Sequence, residues 1–74
     1  ETPLNQYRLI NAWALVVGEN VAKKTKDIYI KNQTLCVSLQ SPVLRSDLQM
    51  KRQTLIARLN ATVGTQVIVD IHFT

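Results

Sequence analysis

The hydrophobic pattern of this chain changes its period along the sequence, and this change constrains the fold more than any single motif. In residues 5–17 and 41–64, apolar side chains recur every three or four positions, which is typical of helices with one buried face. In residues 26–40 and 66–74 they alternate with polar side chains, as in strands with one buried face. Both kinds of element must share one small core, because a chain of 74 residues forms a single domain that buries only about 60% of its unfolded surface.

The first helical segment is predicted to extend from Asn5 to Val17. Pro3 precedes it, and Gly18 suits the left-handed conformation with which helices commonly end. The residues after Gly18 can add one short helical turn. The apolar face of the first helix consists of Leu9, Ile10, Trp13, Val16 and Val17, and that of the short turn of Val21 and Ala22.

The second helical segment is predicted as one long helix between Ser41 and Gly64. Ser41 can cap its first turn, Pro42 fits its first position, and Asp47 lies near its start. Its apolar face consists of Leu44, Leu48, Leu55, Ile56, Leu59 and Val63. Its opposite face carries Arg45, Lys51, Arg52 and Arg58.

The strand-like pattern between the two helical segments predicts a hairpin. Its turn consists of Asn32, which tolerates a positive φ, and Gln33, which suits a tight turn less well than glycine. The buried faces of its two strands consist of Ile28, Ile30, Leu35, Val37 and Leu39.

Residues 66–74 predict a third strand. Its buried face consists of Val67, Val69, Ile71 and Phe73, and its other face of Ile68, Asp70 and His72. The order of elements is then helix, short helix, strand, strand, helix, strand (α-α-β-β-α-β). This order predicts an α+β fold in which helices cover one face of a three-stranded sheet, an arrangement similar to that of K-homology domains.

The composition argues against several classes of protein. No apolar run approaches the roughly 18 residues of a membrane span. Cys36 is the single cysteine and His72 the single histidine, so we expect no disulfide and no metal site. The lack of a disulfide favours a reducing, cytoplasmic compartment. We also expect no cofactor. The sequence indicates no catalytic nucleophile, general base or pocket, so we do not expect an enzyme. Because it begins at Glu1 without an initiator methionine, we expect its native termini, with any targeting signal, to lie outside it.

The charged residues favour polyanionic partners without requiring them, because nine Lys and Arg against five Asp and Glu give a net charge of +4. A cluster around the first predicted strand consists of Lys23, Lys24, Lys26 and Lys31. These lysines either protect a solvated strand edge from aggregation or contact phosphates, and the residues alone leave both readings open. On the long helix, Lys51 and Arg52 are the best-placed pair for a polyanion, although such residues more often form a solvated helix face.

The aromatic residues have ordinary interpretations. Trp13 shares the apolar face of the first helix, which favours a place in the core over a base-stacking or partner-docking role. Tyr7 and Tyr29 could stack on exposed bases, but we interpret them as half-buried edge residues. Cys36 is interpreted as a small packed or sheet-covered thiol, and His72 as a strand residue on the polar face.

Several short motifs, taken in their order and spacing, resemble the DciA family of bacterial replication proteins, which act on the replicative helicase. The matching residues span nearly the whole chain and are Trp13, Val16, Val17, Gly18, Ala22, Thr25, Leu35, Val37, Leu39, Ser41, Asp47, Leu48, Leu59, Asn60, Gly64, Ile71 and Phe73. The sequence departs from the family at Leu44 and Gln33, where members often have an aromatic residue and a glycine.

The resemblance implies one K-homology-like domain over residues 1–74 that binds DNA, single- or double-stranded, and takes part in loading or operating the replicative helicase without being an enzyme. It favours DNA contact for the basic candidates, which are Lys23, Lys24, Lys26, Lys31, Lys51 and Arg52. RNA recognition through a GxxG loop is disfavoured, because Gly18 and Gly64 are far apart in the sequence. The alternative hypothesis is a protein-interaction or self-association domain that pairs through a sheet face or edge and binds no nucleic acid.

Overall fold

The computed structural model describes residues 3–74 and shows an α+β fold with a mixed three-stranded sheet. In chain order the elements are α1 (Pro3–Val17), α2 (Glu19–Lys23), β1 (Thr25–Lys31), β2 (Thr34–Leu39), α3 (Pro42–Met50), α4 (Arg52–Val63) and β3 (Asp70–Phe73). The central strand β2 pairs antiparallel with β1 and parallel with β3. The predicted fold class is therefore confirmed.

The core lies between the helices and one face of the sheet, where the predicted alternation of β1 and β2 is confirmed. Its fully buried side chains come from both layers and are Leu9, Leu35, Val37, Leu59, Val67, Ile68 and Ile71. Trp13 belongs to this core, since it is 3% exposed and packs against Phe73 with ring centroids 6.5 Å apart. The opposite face of the sheet is left to solvent.

The long second helix was predicted as continuous, and this is wrong at one residue. Lys51, with φ −100° and ψ 14°, separates α3 from α4, although no glycine or proline stands there. The predicted ends are confirmed: the Leu44 N–H donates to Ser41 Oγ at 3.2 Å, and Gly64 ends α4 in the left-handed conformation. The break adds a helix to the predicted order, which becomes α-α-β-β-α-α-β.

The third strand is shorter than predicted, and its alternation starts only at Asp70. Val67 and Ile68 are adjacent and both fully buried, whereas Val69, predicted in the core, is 51% exposed. The reason lies in α4, where Asn60 Oδ1 accepts the N–H groups of Val67 and Ile68 at 2.9 and 3.1 Å and its Nδ2 donates to the Ile68 carbonyl at 2.9 Å. These bonds replace strand pairing in this segment, so two successive side chains can both point into the core.

The two tight turns use positive backbone angles. Asn32 and Gln33 have φ values of 53° and 61°, which confirms the predicted hairpin turn. Gly18 has φ 93° and ψ 162°, so it adopts an extended mirror-image conformation and not the predicted left-handed helical one. This conformation turns the chain sharply from α1 into α2, where Val21 and Ala22 are half-buried.

Candidate nucleic-acid interface

The basic residues predicted as one group lie at two ends of the sheet. Lys24 lies beside the start of β1, where its carbonyl accepts the Gln40 N–H at 2.9 Å. Lys31 ends β1, about 16 Å from Lys26 at the rise of about 3.3 Å per residue in a strand. The structure therefore separates Lys23, Lys24 and Lys26 from Lys31.

Arg52 lies at the same end of the sheet as Lys31. The register places Lys31 opposite Thr34 and Thr34 opposite Asp70, and Arg52 Nε lies 3.5 Å from Asp70 Oδ1. That Nε is buried and has no hydrogen-bond partner within residues 3–74 apart from this ion pair. The Arg52 side chain, which is 37% exposed, therefore contacts the start of β3 through one ion pair.

Each of two further candidates forms an exposed ion pair with a carboxylate one helical turn earlier in the chain. Lys23 Nζ lies 3.3 Å from Glu19 Oε1, and Lys51 Nζ lies 3.3 Å from Asp47 Oδ2. Exposed pairs of this kind contribute only about 0.3–0.5 kcal/mol, so they reduce the local positive charge without fixing the side chains.

The remaining three candidates, Lys24, Lys26 and Lys31, are exposed and form no ion pair with the described part of the chain. Lys26 is the extra residue of an irregularity in β1, because the register shifts between Thr25 and Asp27. A bulge and a lysine both protect an edge strand from pairing with other chains, so this placement suits the protective role as well as phosphate contact.

One row of side chains crosses the solvent-facing side of the sheet. Tyr29 lies opposite Cys36, and Cys36 opposite His72, so the row includes one residue from each strand. Tyr29 is 50% exposed, Cys36 is half-buried and His72 is exposed. Lys31 follows Tyr29 on the same strand and face, about 7 Å further along.

The hydroxyl of Tyr29 stays neutral well beyond physiological pH. The neighbouring Cys36 side chain is the main cause that raises the pKa of Tyr29, and the carboxylate of Asp27 contributes less. The ring therefore presents no negative charge to a polyanion.

The remaining aromatic predictions have mixed outcomes. Tyr29 does lie on an edge strand. The prediction of Tyr7 as a half-buried edge residue is wrong, because Tyr7 lies on α1 and is 65% exposed. His72 is an exposed strand residue of the polar sheet face, as predicted. Cys36, predicted as a packed or sheet-covered thiol, is only half-buried and lies on the same face.

Some features of the interface could have been read from the sequence. The pairs Glu19 with Lys23 and Asp47 with Lys51 have the spacing of four residues that favours ion pairs on a helix. The contact of Arg52 with Asp70 could not be predicted from the sequence, because it joins two elements that only the tertiary fold brings together.

Two structural findings bear on other classes of protein. Within residues 3–74, no helix combines the length and apolarity needed to cross a membrane. In the same part of the chain, no three His, Cys, Asp or Glu side chains are grouped closely enough to hold a metal ion.

Comparison with known proteins gives a family and a curated relative. The family model described as "Dna[CI] antecedent, DciA" matches residues 1–73. A UPF0232 protein of Rhodococcus jostii (strain RHA1) is 27% identical over 66 residues, which cover 89% of this chain and 35% of that protein. The chain thus spans about a third of the length of this curated relative.

Proposed function

Since the chain belongs to the DciA family, we propose that it is a nonenzymatic DNA-binding module that interacts with the replicative helicase in bacterial DNA replication. The observation that carries this proposal is the family match over residues 1–73. The family is associated with the replicative helicase and with replication. In this proposal residues 1–74 act as one domain, in the cytoplasm.

The fold supports a K-homology-like assignment. Helices cover one face of a three-stranded mixed sheet, and a hairpin of β1 and β2 precedes the helical segment that leads to β3. DNA binding in such a domain would not use a GxxG loop, so another surface must contact the phosphates.

The proposed DNA contacts begin with the cations that no carboxylate neutralises. Lys24, Lys26 and Lys31 are exposed and form no ion pair within residues 3–74, so a phosphate can approach them without displacing a partner. Lys23 and Lys51 can contribute after exchanging a weak exposed ion pair for a phosphate. Arg52 is the least exposed of the paired candidates, because its side chain is 37% exposed beside Asp70, against 70% for Lys23 and 61% for Lys51.

Titration of labelled single- and double-stranded DNA at several salt concentrations tests the DNA-binding part of the proposal. Phosphate contacts release condensed counterions, so the logarithm of the association constant should fall linearly with the logarithm of the salt concentration. Weak binding that does not change with salt would contradict the proposal.

A pull-down of the full-length protein with its cognate replicative helicase tests the second part. We expect the helicase to be retained, and its absence from the bound fraction at concentrations that saturate DNA binding would contradict the helicase interaction. DNA digestion before the pull-down distinguishes a direct contact from two proteins held on one DNA molecule.

A protein-interaction or self-association domain remains the second candidate. The observation that favours it is a set of large apolar side chains left exposed on α1 and α3, namely Leu4, Tyr7, Leu15, Val43 and Met50. Val43 and Met50, 79% and 82% exposed, border an open groove of about 470 Å³ along α3. A molar mass that rises with concentration in light scattering, together with salt-independent DNA binding, would favour this candidate.

A further inference from the structure

The solvent-facing side of the sheet carries an aromatic ring that the fold does not use. Tyr29 lies on the face of β1 that points away from the core, and the residue is 50% exposed. Its neighbours on this face are small or polar, with Cys36 directly across the strand pair and Ser38 and Thr34 on either side of Cys36. The ring is therefore partly accessible to a planar ligand.

The strand pairing fixes the backbone that carries the ring before any ligand arrives. The backbone of Tyr29 is paired in register with Cys36 between β1 and β2. A tyrosine has only two side-chain torsions to fix, so binding to it costs little conformational entropy.

The charges around the ring suit a nucleotide. Lys31 lies about 7 Å along the same strand and face and has no ion-pair partner in residues 3–74. His72 lies in the same row, about 10 Å away across two strand spacings, and offers a second planar ring. The nearest negative charge is Asp27, on the other side of Tyr29 from Lys31, and its Oδ1 accepts the Ile28 N–H at 3.0 Å.

We infer that this sheet face is a binding site for single-stranded DNA, with an unpaired base stacked on Tyr29 and an adjacent phosphate at Lys31. The inference rests on the proposed DNA-binding function and specifies its site and strand type. A duplex cannot use the platform in the same way, because its bases are stacked on one another and taking one out costs a few kcal/mol. Stacking on an aromatic ring tolerates any sequence, since every base has a π-face.

The test compares a short thymidine oligonucleotide with an abasic strand of equal length and charge, both fluorescently labelled. The wild-type chain should bind the thymidine strand about 5- to 150-fold more tightly, the range that stacking on one aromatic side chain provides. Tyr29→Ala should abolish this preference and leave binding to the abasic strand unchanged. Tyr29→Phe keeps the ring and should retain the preference.

Tyr7→Ala is the matched control, because Tyr7 is also an exposed tyrosine, 65% against 50% for Tyr29, and lies on α1, so its loss should not affect the preference. The fluorescence of the buried Trp13 confirms that each variant is folded. Equal binding of both strands by the wild type, or a preference that survives Tyr29→Ala, would overturn the inference while leaving salt-dependent DNA binding intact. If neither strand binds in a salt-dependent manner, the proposed function fails together with the inference.

Discussion

The indole N–H of Trp13 donates a hydrogen bond to Oγ1 of Thr25, with 3.1 Å between the two heavy atoms. Thr25 Oγ1 in turn donates to the Val21 carbonyl at 3.0 Å. This chain of two bonds joins α1, α2 and the first residue of β1 across the turn at Gly18. It also gives a structural reason for Trp13 and Thr25 in the DciA pattern, since the buried indole N–H needs a hydrogen-bond acceptor at the start of the strand.

Removing the hydroxyl of Thr25 tests this connection. Thr25→Val preserves the shape and the strand preference of the side chain but leaves the buried Trp13 N–H without a partner, at a cost of about 1–3 kcal/mol of unfolding free energy. The Val21 carbonyl keeps a bond, because it also accepts the Lys24 N–H at 3.1 Å. Urea unfolding followed by far-UV circular dichroism measures the change.

Thr34→Val is the control for that substitution, because Thr34 lies on β2 and its hydroxyl forms no hydrogen bond with the described residues. We expect its unfolding free energy to stay close to that of the wild type. Equal losses for the two variants would contradict the role assigned to the Trp13 contact.

Asn60 is predicted to hold the irregular segment before β3. Asn60→Ala removes three hydrogen bonds, each of which contributes roughly 0.5–1.5 kcal/mol, so we expect a loss of about 2–4 kcal/mol. Amide hydrogen exchange at Val67 and Ile68 should accelerate beyond the global change. Gln53→Ala, an exposed position on the same helix, should leave both quantities nearly unchanged, and similar effects in the two variants would refute the assignment.

Gln33 is predicted to be a strained residue that glycine improves. At φ 61° the left-handed conformation of Gln33 destabilises the folded state by roughly 1–2 kcal/mol. This exceeds the roughly 0.5–1 kcal/mol by which the greater backbone entropy of glycine in the unfolded chain lowers stability. Gln33→Gly should therefore raise the unfolding free energy by about 0.5–1 kcal/mol, as measured by thermal or urea unfolding. A decrease would show that the turn does not hold this conformation in solution.

The two glycines should respond differently to asparagine, because the left-handed helical region is the only positive-φ region that asparagine readily adopts. Gly64, at φ 94° and ψ 7°, lies near that region, whereas Gly18, at φ 93° and ψ 162°, lies in a region that almost only glycine adopts. Gly18→Asn should thus cost about 1–3 kcal/mol and Gly64→Asn clearly less. The reverse order in unfolding experiments would contradict the backbone geometry at Gly18.

The elements that bury one regular face could be predicted from the sequence, and the exceptions have local causes. The alternation of Leu35, Val37 and Leu39 leaves β2 only one way to face the core. The break at Lys51 has no such signal, because the apolar stripe from Leu48 to Leu55 fits a continuous helix as well as an interrupted one.

The candidate site was less predictable than the fold. The cluster of lysines in the sequence becomes two separate groups once β1 is extended, and the partner of Arg52 lies on a strand eighteen residues later in the chain, at Asp70. The exposure of Tyr29 likewise depends on which sheet face the helices cover, and a short strand pattern alone does not specify that.

DNA is proposed to be held through lysines that no carboxylate neutralises. The most direct measurement is the salt dependence of single-stranded DNA binding by the wild type, by Lys24→Gln/Lys26→Gln, and by Arg8→Gln/Arg58→Gln, which removes the same charge from exposed positions on α1 and α4. Each lost phosphate contact should reduce the slope by about 0.7, so we predict a decrease of about 1.4 for the lysine variant and almost none for the arginine variant. Equal slopes in all three proteins, each shown to be folded, would contradict the claim.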